Sequence, residues 1–265
     1  MITSCNNTGY TRETLMDYLG DSYNRVPYLY TNLYTYGTDS PVCSTWVDVE
    51  DGQLRAVYLQ YRTCLHFFSR DEAYPVASYI DFMQGRDVRV AIVTEEFGMR
   101  LMSAIHPKKC LKECCLKGDT TQPSAPDLDV VRTTRREDFP RIVDCMMTET
   151  MYSEINTREG LLTQLLERFD AGYGRSFHIE VNGAIAASYG ISGENDKFIF
   201  TASLIVNPAM RGRGFAPLLT RALWRYAGAK GKESYCFVDE ENEASIRMHT
   251  KCGATVAGRI MKFYF

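Results

Sequence analysis

The chain has 265 residues, 45% of them hydrophobic and 24% charged, with a formal net charge of −3. This is enough chain for one large or two ordinary globular domains. The charge balance speaks against nucleic-acid binding, which calls for a basic stripe, and no stretch approaches the ~20 apolar residues that span a bilayer. Nine cysteines, an odd number, and an N-terminus without a signal pattern lead to the expectation of reduced thiols in a cytoplasmic protein.

In chain order, Thr11 caps a helix that runs to about Leu19. Five tyrosines (Tyr23, Tyr28, Tyr30, Tyr34 and Tyr36) then crowd a short stretch. They suit either core packing or an aromatic wall for an amine acceptor, since each ring offers a π-face and a hydroxyl. Strands are expected over 43–49 and 54–61, joined as a hairpin through Glu50-Asp51-Gly52, with a further strand over 64–69. Helical spacing over 74–83 and 95–105 brackets a strand at 88–93, and 110–116 reads as a last strand. Cys110, Cys114 and Cys115, with His106 nearby, lack the paired spacing of a zinc site, and no metal is expected.

Residues 118–127 are polar, carry two prolines and have no periodicity, so they divide a domain over 1–117 from one over 128–265. The second part opens with a strand over 128–132. Thr134 and Glu137 have capping-box spacing ahead of a helix with Phe139, Ile142, Val143 and Met146 on one face. Thr157 caps another helix. A strand over 176–181, an Asn182-Gly183 hairpin turn, a return strand over 184–191 and a third strand over 198–206 follow. A helix over 215–229, a strand over 234–238, a helix over 242–252 ended by Gly253 and a final strand or strand pair over 255–265 complete the chain. The expected class is α+β, a mixed and mostly antiparallel central sheet with helices on both faces. The order of elements in 1–117 echoes that of 128–265, so two copies of one architecture are expected.

The stretch that carries chemistry is Leu204-Ile205-Val206-Asn207-Pro208-Ala209-Met210-Arg211-Gly212-Arg213-Gly214-Phe215-Ala216. A strand ends at a proline, two glycines follow among basic residues, and a helix begins. Such a loop leaves backbone N–H groups unsatisfied at the positive end of a helix, where a pyrophosphate is favoured. Glycine lets the anion approach the backbone. A dinucleotide fingerprint would need a third glycine, which is absent. The first part has Arg70-Asp71-Glu72-Ala73 at the corresponding place, without glycines and with carboxylates that repel a phosphate.

Residues 128–265 resemble the GNAT superfamily of N-acetyltransferases. The family's Arg/Gln-x-x-Gly-x-Gly/Ala motif stands as Arg211 to Ala216, and the stretch from Asn242 to Ala254 resembles the second motif. The resemblance implies the acyl-CoA N-acyltransferase fold, acetyl-CoA as acyl donor and a primary amine of a small molecule as acceptor. It implies that 211–216 hold the pyrophosphate and that Leu204 and Val206 offer backbone pairing to the pantetheine arm. A backbone N–H near Ile205 or Val206 would face the oxyanion, and Asn242 would lie on the cofactor side. The family usually places a Tyr as acid where this chain has His249, so that an imidazole would stand in for the phenol. Among Asp239, Glu240, Glu241 and Glu243, Glu240 is the candidate to relay a proton or attract the amine, against the plain alternative of solvated carboxylates at a helix start. Two other readings stay open: a non-catalytic acyl-CoA-binding module, and an acyltransferase for longer acyl chains. The acceptor and the oligomeric state are not legible.

Overall fold

The computed structural model describes residues 1–121, 129–154, 156–172 and 174–265. The chain divides into two compact units: Met1–Cys115 with Val238–Asn242 and Val256–Phe265, and Leu116–Phe237 with Glu243–Thr255. Most of the proposed linker, and Leu128 of the strand expected after it, lie outside the described residues.

The first unit begins with β1 (Ile2–Ser4), α1 (Arg12–Leu19), α2 (Pro27–Tyr36) and the short β2 (Asp39–Ser40). Then come β3 (Cys43–Glu50), β4 (Gln53–Tyr61), β5 (Cys64–Ser69), α3 (Val76–Met83), β6 (Val90–Thr94), α4 (Glu95–Met102) and β7 (Lys109–Lys117). Thr11 caps α1 as expected, its side chain accepting from the Thr14 amide. The β3–β4 hairpin turns through Asp51 (φ +51°) and Gly52 (φ +75°), both left-handed. Four of the five clustered tyrosines (Tyr28, Tyr30, Tyr34 and Tyr36) lie in α2, which has Pro27 in its first turn and Leu29, Tyr30 and Leu33 buried, while Tyr23 precedes it in a 3-10 turn, Gly20–Asn24.

The second unit contains β8 (Val131–Thr133), α5 (Phe139–Met146), the single turn α6 (Thr150–Ser153), α7 (Arg158–Asp170), β9 (Arg175–Val181), β10 (Ala184–Glu194), β11 (Phe198–Val206), α8 (Phe215–Ala229), β12 (Glu233–Asp239) and α9 (Glu243–Lys251). Its strands lie in the order β12-β11-β10-β9-β8. The ladders are antiparallel except for the parallel pair β11–β12. Helices cover both faces: Leu219, Leu223 and Ala227 of α8 pack on one, and Ile142, Val143, Met146 and Leu161 of α5 and α7 on the other.

One expectation is corrected here, and one open alternative is decided. Helix α5 starts at Phe139 and is entered through a 3-10 turn, Arg136–Asp138, in which Asp138 rather than Glu137 caps the Arg135 amide at 2.9 Å. Thr134 turns its hydroxyl to His178 Nδ1 (3.0 Å) instead of capping. The last strand is single, β13 (Thr255–Tyr264), and from Val256 onward it counts with the first unit, where it pairs antiparallel with β6. The first unit's sheet is therefore ordered β1-β3-β4-β5-β6-β13-β7.

Within each unit the same sequence of elements recurs: three antiparallel strands (β3-β4-β5, β9-β10-β11), a helix (α3, α8), a strand parallel to the third (β6, β12) and another helix (α4, α9). In each, the parallel pairing is short. It runs from Cys64↔Val90 to His66↔Ile92 in one and from Phe198↔Glu233 to Thr201↔Cys236 in the other, and the third strand then continues alone on that side.

Candidate functional site

Strand β11 provides the edge of the candidate site. Its register against β10 shifts from Ser188↔Ile205 to Gly190↔Ala202, so β11 carries one extra residue opposite Tyr189. Ser203 absorbs it with φ +63°, a left-handed conformation uncommon for a residue with a side chain. The bulge falls just past the end of the β12 pairing at Thr201. Residues 202–206 thus have no ladder partner on the β12 side. Leu204 and Val206 pack in the α8 layer, while Ile205 is buried in the α5/α7 layer. Their side chains belong to the core, and backbone groups are what this strand can offer a ligand.

The loop after β11 follows from local chemistry. Asn207 anchors its amide on the Ala186 carbonyl (2.9 Å), and its side chain accepts from the Ala209 amide (3.1 Å). Gly212 (φ +76°) and Gly214 (φ +80°) then turn the chain into α8. A Cβ at either glycine would meet nothing within 4 Å, so the positive φ rather than crowding calls for glycine. Gly214 supplies no side-chain cap, and Pro217 has no N–H. Among the described residues no protein acceptor reaches the amides of Gly212, Arg213, Gly214, Phe215 or Ala216. Unsatisfied donors at a helix N-terminus bind an anion without side-chain help. Arg211 is paired with Glu149, and the Arg213 guanidinium lies over the Phe215 ring at 5.2 Å.

His249 sits elsewhere in this unit, on α9 and 1% exposed. Its Nδ1 lies 2.9 Å from the Ser245 carbonyl and its Nε2 3.4 Å from the Tyr189 hydroxyl, which also meets Thr201 Oγ1 at 2.8 Å. Burial lowers its pKa from the ordinary histidine value, only partly opposed by the Ser245 carbonyl, so the ring is neutral with both nitrogens engaged. Glu240 and Asn242 belong to the first unit by their contacts. Glu240 accepts from Arg259 Nε (2.7 Å) and from the Cys114 thiol (3.4 Å). The Arg259 bond holds the carboxyl below its ordinary range, which weakens it as a base. Asn242 is exposed, donates its amide to the Asp239 carbonyl (2.9 Å) and immediately precedes α9. The structure thus brings 204–216 into one continuous strand, loop and helix start and places His249 in the core.

All nine cysteines are reduced thiols, and burial pushes the Cys236 thiol up to about 12. Among the described residues no group of three or more potential ligands is arranged for a metal ion.

Strand β10 also borders a cavity. Ser188, Gly190 and Ser192 alternate along one face, and with Ser176 and Ala202 they floor a cavity of about 200 Å³ roofed by α5, α6 and α7. The alternation of small residues was readable as a strand face unable to fill its own layer, but only the helices above make it a cavity.

Residues 139–254 match the model of the Acetyltransferase (GNAT) family. That stretch is a GNAT domain, and the resemblance carried by the two motifs is confirmed. Solved structures agree in fold across the whole chain. A GNAT-family acetyltransferase from Colwellia psychrerythraea is similar at TM-score 0.60 and 14% identity, covering 100% of this chain and 99% of that one. A tandem GNAT protein from the clavulanic acid biosynthesis pathway, solved without AcCoA, is similar at TM-score 0.62 and 12% identity, with coverage of 100% and 98%. A GNAT-family protein from Novosphingobium aromaticivorans gives TM-score 0.53 and 16% identity over 82% of this chain and 89% of that one. No curated protein matches the sequence. Among the described residues no helix is long and apolar enough to cross a membrane.

Proposed function

We propose that the second unit binds acetyl-CoA and transfers its acetyl group to a primary amine of a small molecule. The carrying observation is the row of amides from Gly212 to Ala216, without protein acceptors, at the head of α8 and directly after a bulged strand edge. In this reading the amides hold the diphosphate, and the backbone of Leu204 and Val206 pairs with the amides of the pantetheine arm. A backbone N–H of Ile205 or Val206 faces the carbonyl oxygen. The thioester supplies an activated acyl group. The amine nitrogen forms the C–N bond, the C–S bond breaks with its electron pair on sulfur, and the proton lost by the amine balances the one gained by the thiolate.

An amine that arrives neutral therefore needs no permanent base. The surroundings of His249 and Glu240 favour supporting roles: a neutral, enclosed imidazole that braces Tyr189, and a carboxylate committed to Arg259. An acyl-enzyme is disfavoured, since the buried Cys236 thiol stays protonated.

The same reading makes the first unit a second, degenerate GNAT-like copy. Its repeated element order and the whole-chain overlap with a tandem GNAT protein support this. After β5 the chain turns carbonyls rather than amides toward a charge: Arg100 of α4 donates to the carbonyls of Glu72, Ala73 and Tyr74. Beside it, Phe67 and Phe97 pack ring to ring at 4.4 Å. A loop with its carbonyls gathered on an internal guanidinium has no place for a phosphate.

Calorimetry of acetyl-CoA against the full chain, followed by thiol release with an amine panel, tests the proposal. Binding with amine-dependent release is the expected result. Binding without release across the panel would instead favour an acyl-CoA-binding module, and stronger competition by long-chain thioesters would favour a different acyl donor.

A further inference from the structure

The cavity under α5, α6 and α7 is a built site whose chemistry restricts the acceptor. Its floor reaches Ala202 and Ser203, the first residues of β11 beyond the β12 pairing, so it opens on the bulged edge to which the proposed function assigns the thioester. Its roof is apolar, with Ile142, Met146, Leu161 and Leu165 among its side chains. Its polar groups are of three kinds. Hydroxyls come from Tyr152, Ser176, Ser188, Ser192 and Ser203, a carboxamide comes from Gln164, and positive charge comes from Arg168, while the Arg175 guanidinium donates to the Tyr226 hydroxyl of α8 on the other face of the sheet. Among the described residues lining it there is no carboxylate.

These groups are held in place. Ser176 and Ser188 share a hydrogen bond at 3.1 Å across the floor, and Arg168, whose planar fork carries five N–H donors, donates one to the Ser192 carbonyl. The Tyr152 hydroxyl interacts with that of Ser203 at the bulge. Such a lining does not suit a second ammonium, which would face the Arg168 guanidinium with no carboxylate among the lining residues. It does not suit an acyl chain either, which would bury the Arg168 guanidinium without a counter-charge. It suits an apolar body that ends in an anion able to meet the Arg168 fork. A positive surrounding also lowers the ammonium pKa of a bound monoamine and so favours the neutral nucleophile.

Resting on the acetyltransferase reading, we infer that this cavity receives the acceptor and that the acceptor is an amino carboxylate with an apolar body, its carboxylate held by Arg168. The test measures kcat/KM by thiol release from acetyl-CoA for leucine, phenylalanine and 6-aminohexanoate. Each is compared with its carboxamide, and putrescine serves as the dicationic control. At least one carboxylate is expected to exceed its carboxamide by about ten- to hundredfold, as for a hydrogen-bonded charge pair, with putrescine poorest. Arg168→Gln should bring that ratio close to one, and Arg168→Lys should restore part of it. A merely structural role for Arg168 would lower both members of a pair together and leave the ratio unchanged, which would overturn the inference. So would a wild-type ratio near one, a preference for putrescine, no turnover of any of these acceptors, or faster transfer of longer acyl groups. Calorimetry separates the two levels: acetyl-CoA binding combined with any of those results removes the acceptor assignment alone. Absence of acetyl-CoA binding removes the proposed function and this inference with it.

Discussion

Replacement of Gly214 by Asp bears most directly on the amide row. The residue stands at φ +80°, ψ 9° as the N-cap of α8, and a Cβ there would meet no atom within 4 Å. The cost to the fold is therefore backbone strain alone, about 1 kcal/mol for a side chain in the left-handed region. For a chain of this size that corresponds to a fall in Tm of about 2–4 °C. The cost to binding is of another order. A carboxylate about 4 Å from one phosphate charge, at an effective dielectric constant of about 20, is repelled by about 4 kcal/mol, or roughly a thousandfold in Kd. Gly214→Asn is the matched control, since Asn has nearly the same shape, tolerates the left-handed region and carries no charge.

Calorimetry with CoA and acetyl-CoA, paired with thermal melts, is the assay. Asn should weaken binding by its bulk, and Asp should weaken it further by a large factor while melting at nearly the same temperature as Asn. Wild-type affinity in Gly214→Asp would refute the cradle. Equal losses for Asp and Asn would show that shape rather than charge governs the loop.

Three further outcomes are expected. His66, His178 and His249 are buried, with pKa values lowered by burial below the ordinary 6.5, His66 to about 3. The unfolded chain protonates these rings below pH 6.5 while the folded chain resists it, so stability is full above pH 6.5 and falls as the pH drops below it, by about 1.4 kcal/mol per pH unit for His66, with His178 and His249 adding in the same direction. Stability from urea melts should be lower at about pH 5.5 than at pH 7.5 by at least about 1.4 kcal/mol, the share of His66 alone, and equal stability would contradict the neutral assignment. Of the nine thiols only Cys64 and Cys110 are not fully buried, so a thiol dye should label two quickly in the folded chain and all nine in urea. Residues 128–265 produced alone should aggregate: β13 would lose its β6 partner, exposing Ile260, Met261 and Phe263, each at most 1% exposed in the intact chain. Their burial is worth about 1.5–3 kcal/mol apiece, comparable in sum to the stability of a domain, and a soluble, monomeric fragment would show that β13 has another place to go.

What could be read from the sequence was what neighbouring residues decide among themselves. Asn182-Gly183 announces its hairpin because both positions need a left-handed backbone, and they adopt φ +52° and +80°. The turn at Asp51-Gly52 and the loop from Asn207 to Gly214 follow the same rule. Where distant partners decide, local signals fail. Helix α2 is built from Tyr, Thr and Asn, which favour helix weakly, and it forms because Leu29, Tyr30 and Leu33 are buried by other elements. Its one local signal was Pro27 at the first helical turn. No pattern within 255–264 specifies β6 as the partner of β13, because any sheet edge would accept those alternating apolar residues. The bulge at Ser203 is equally silent, since it uses a serine where a glycine would have been the signal.

The same division separates the two halves of the proposed reaction. The proposed donor side is written in one contiguous stretch, 204–216, where backbone conformation alone leaves the amides of Gly212 to Ala216 for an anion, so a short motif can carry it. The acceptor side is assembled from β9, β10, β11 and three helices, and its chemistry resides in side chains such as Ser188 and Arg168 that mean little until they share a cavity. A fold of this kind keeps its donor fixed through backbone geometry and can change its acceptor by exchanging single side chains in the roof or floor. Substrate class is therefore the property for which a structure adds most to the sequence.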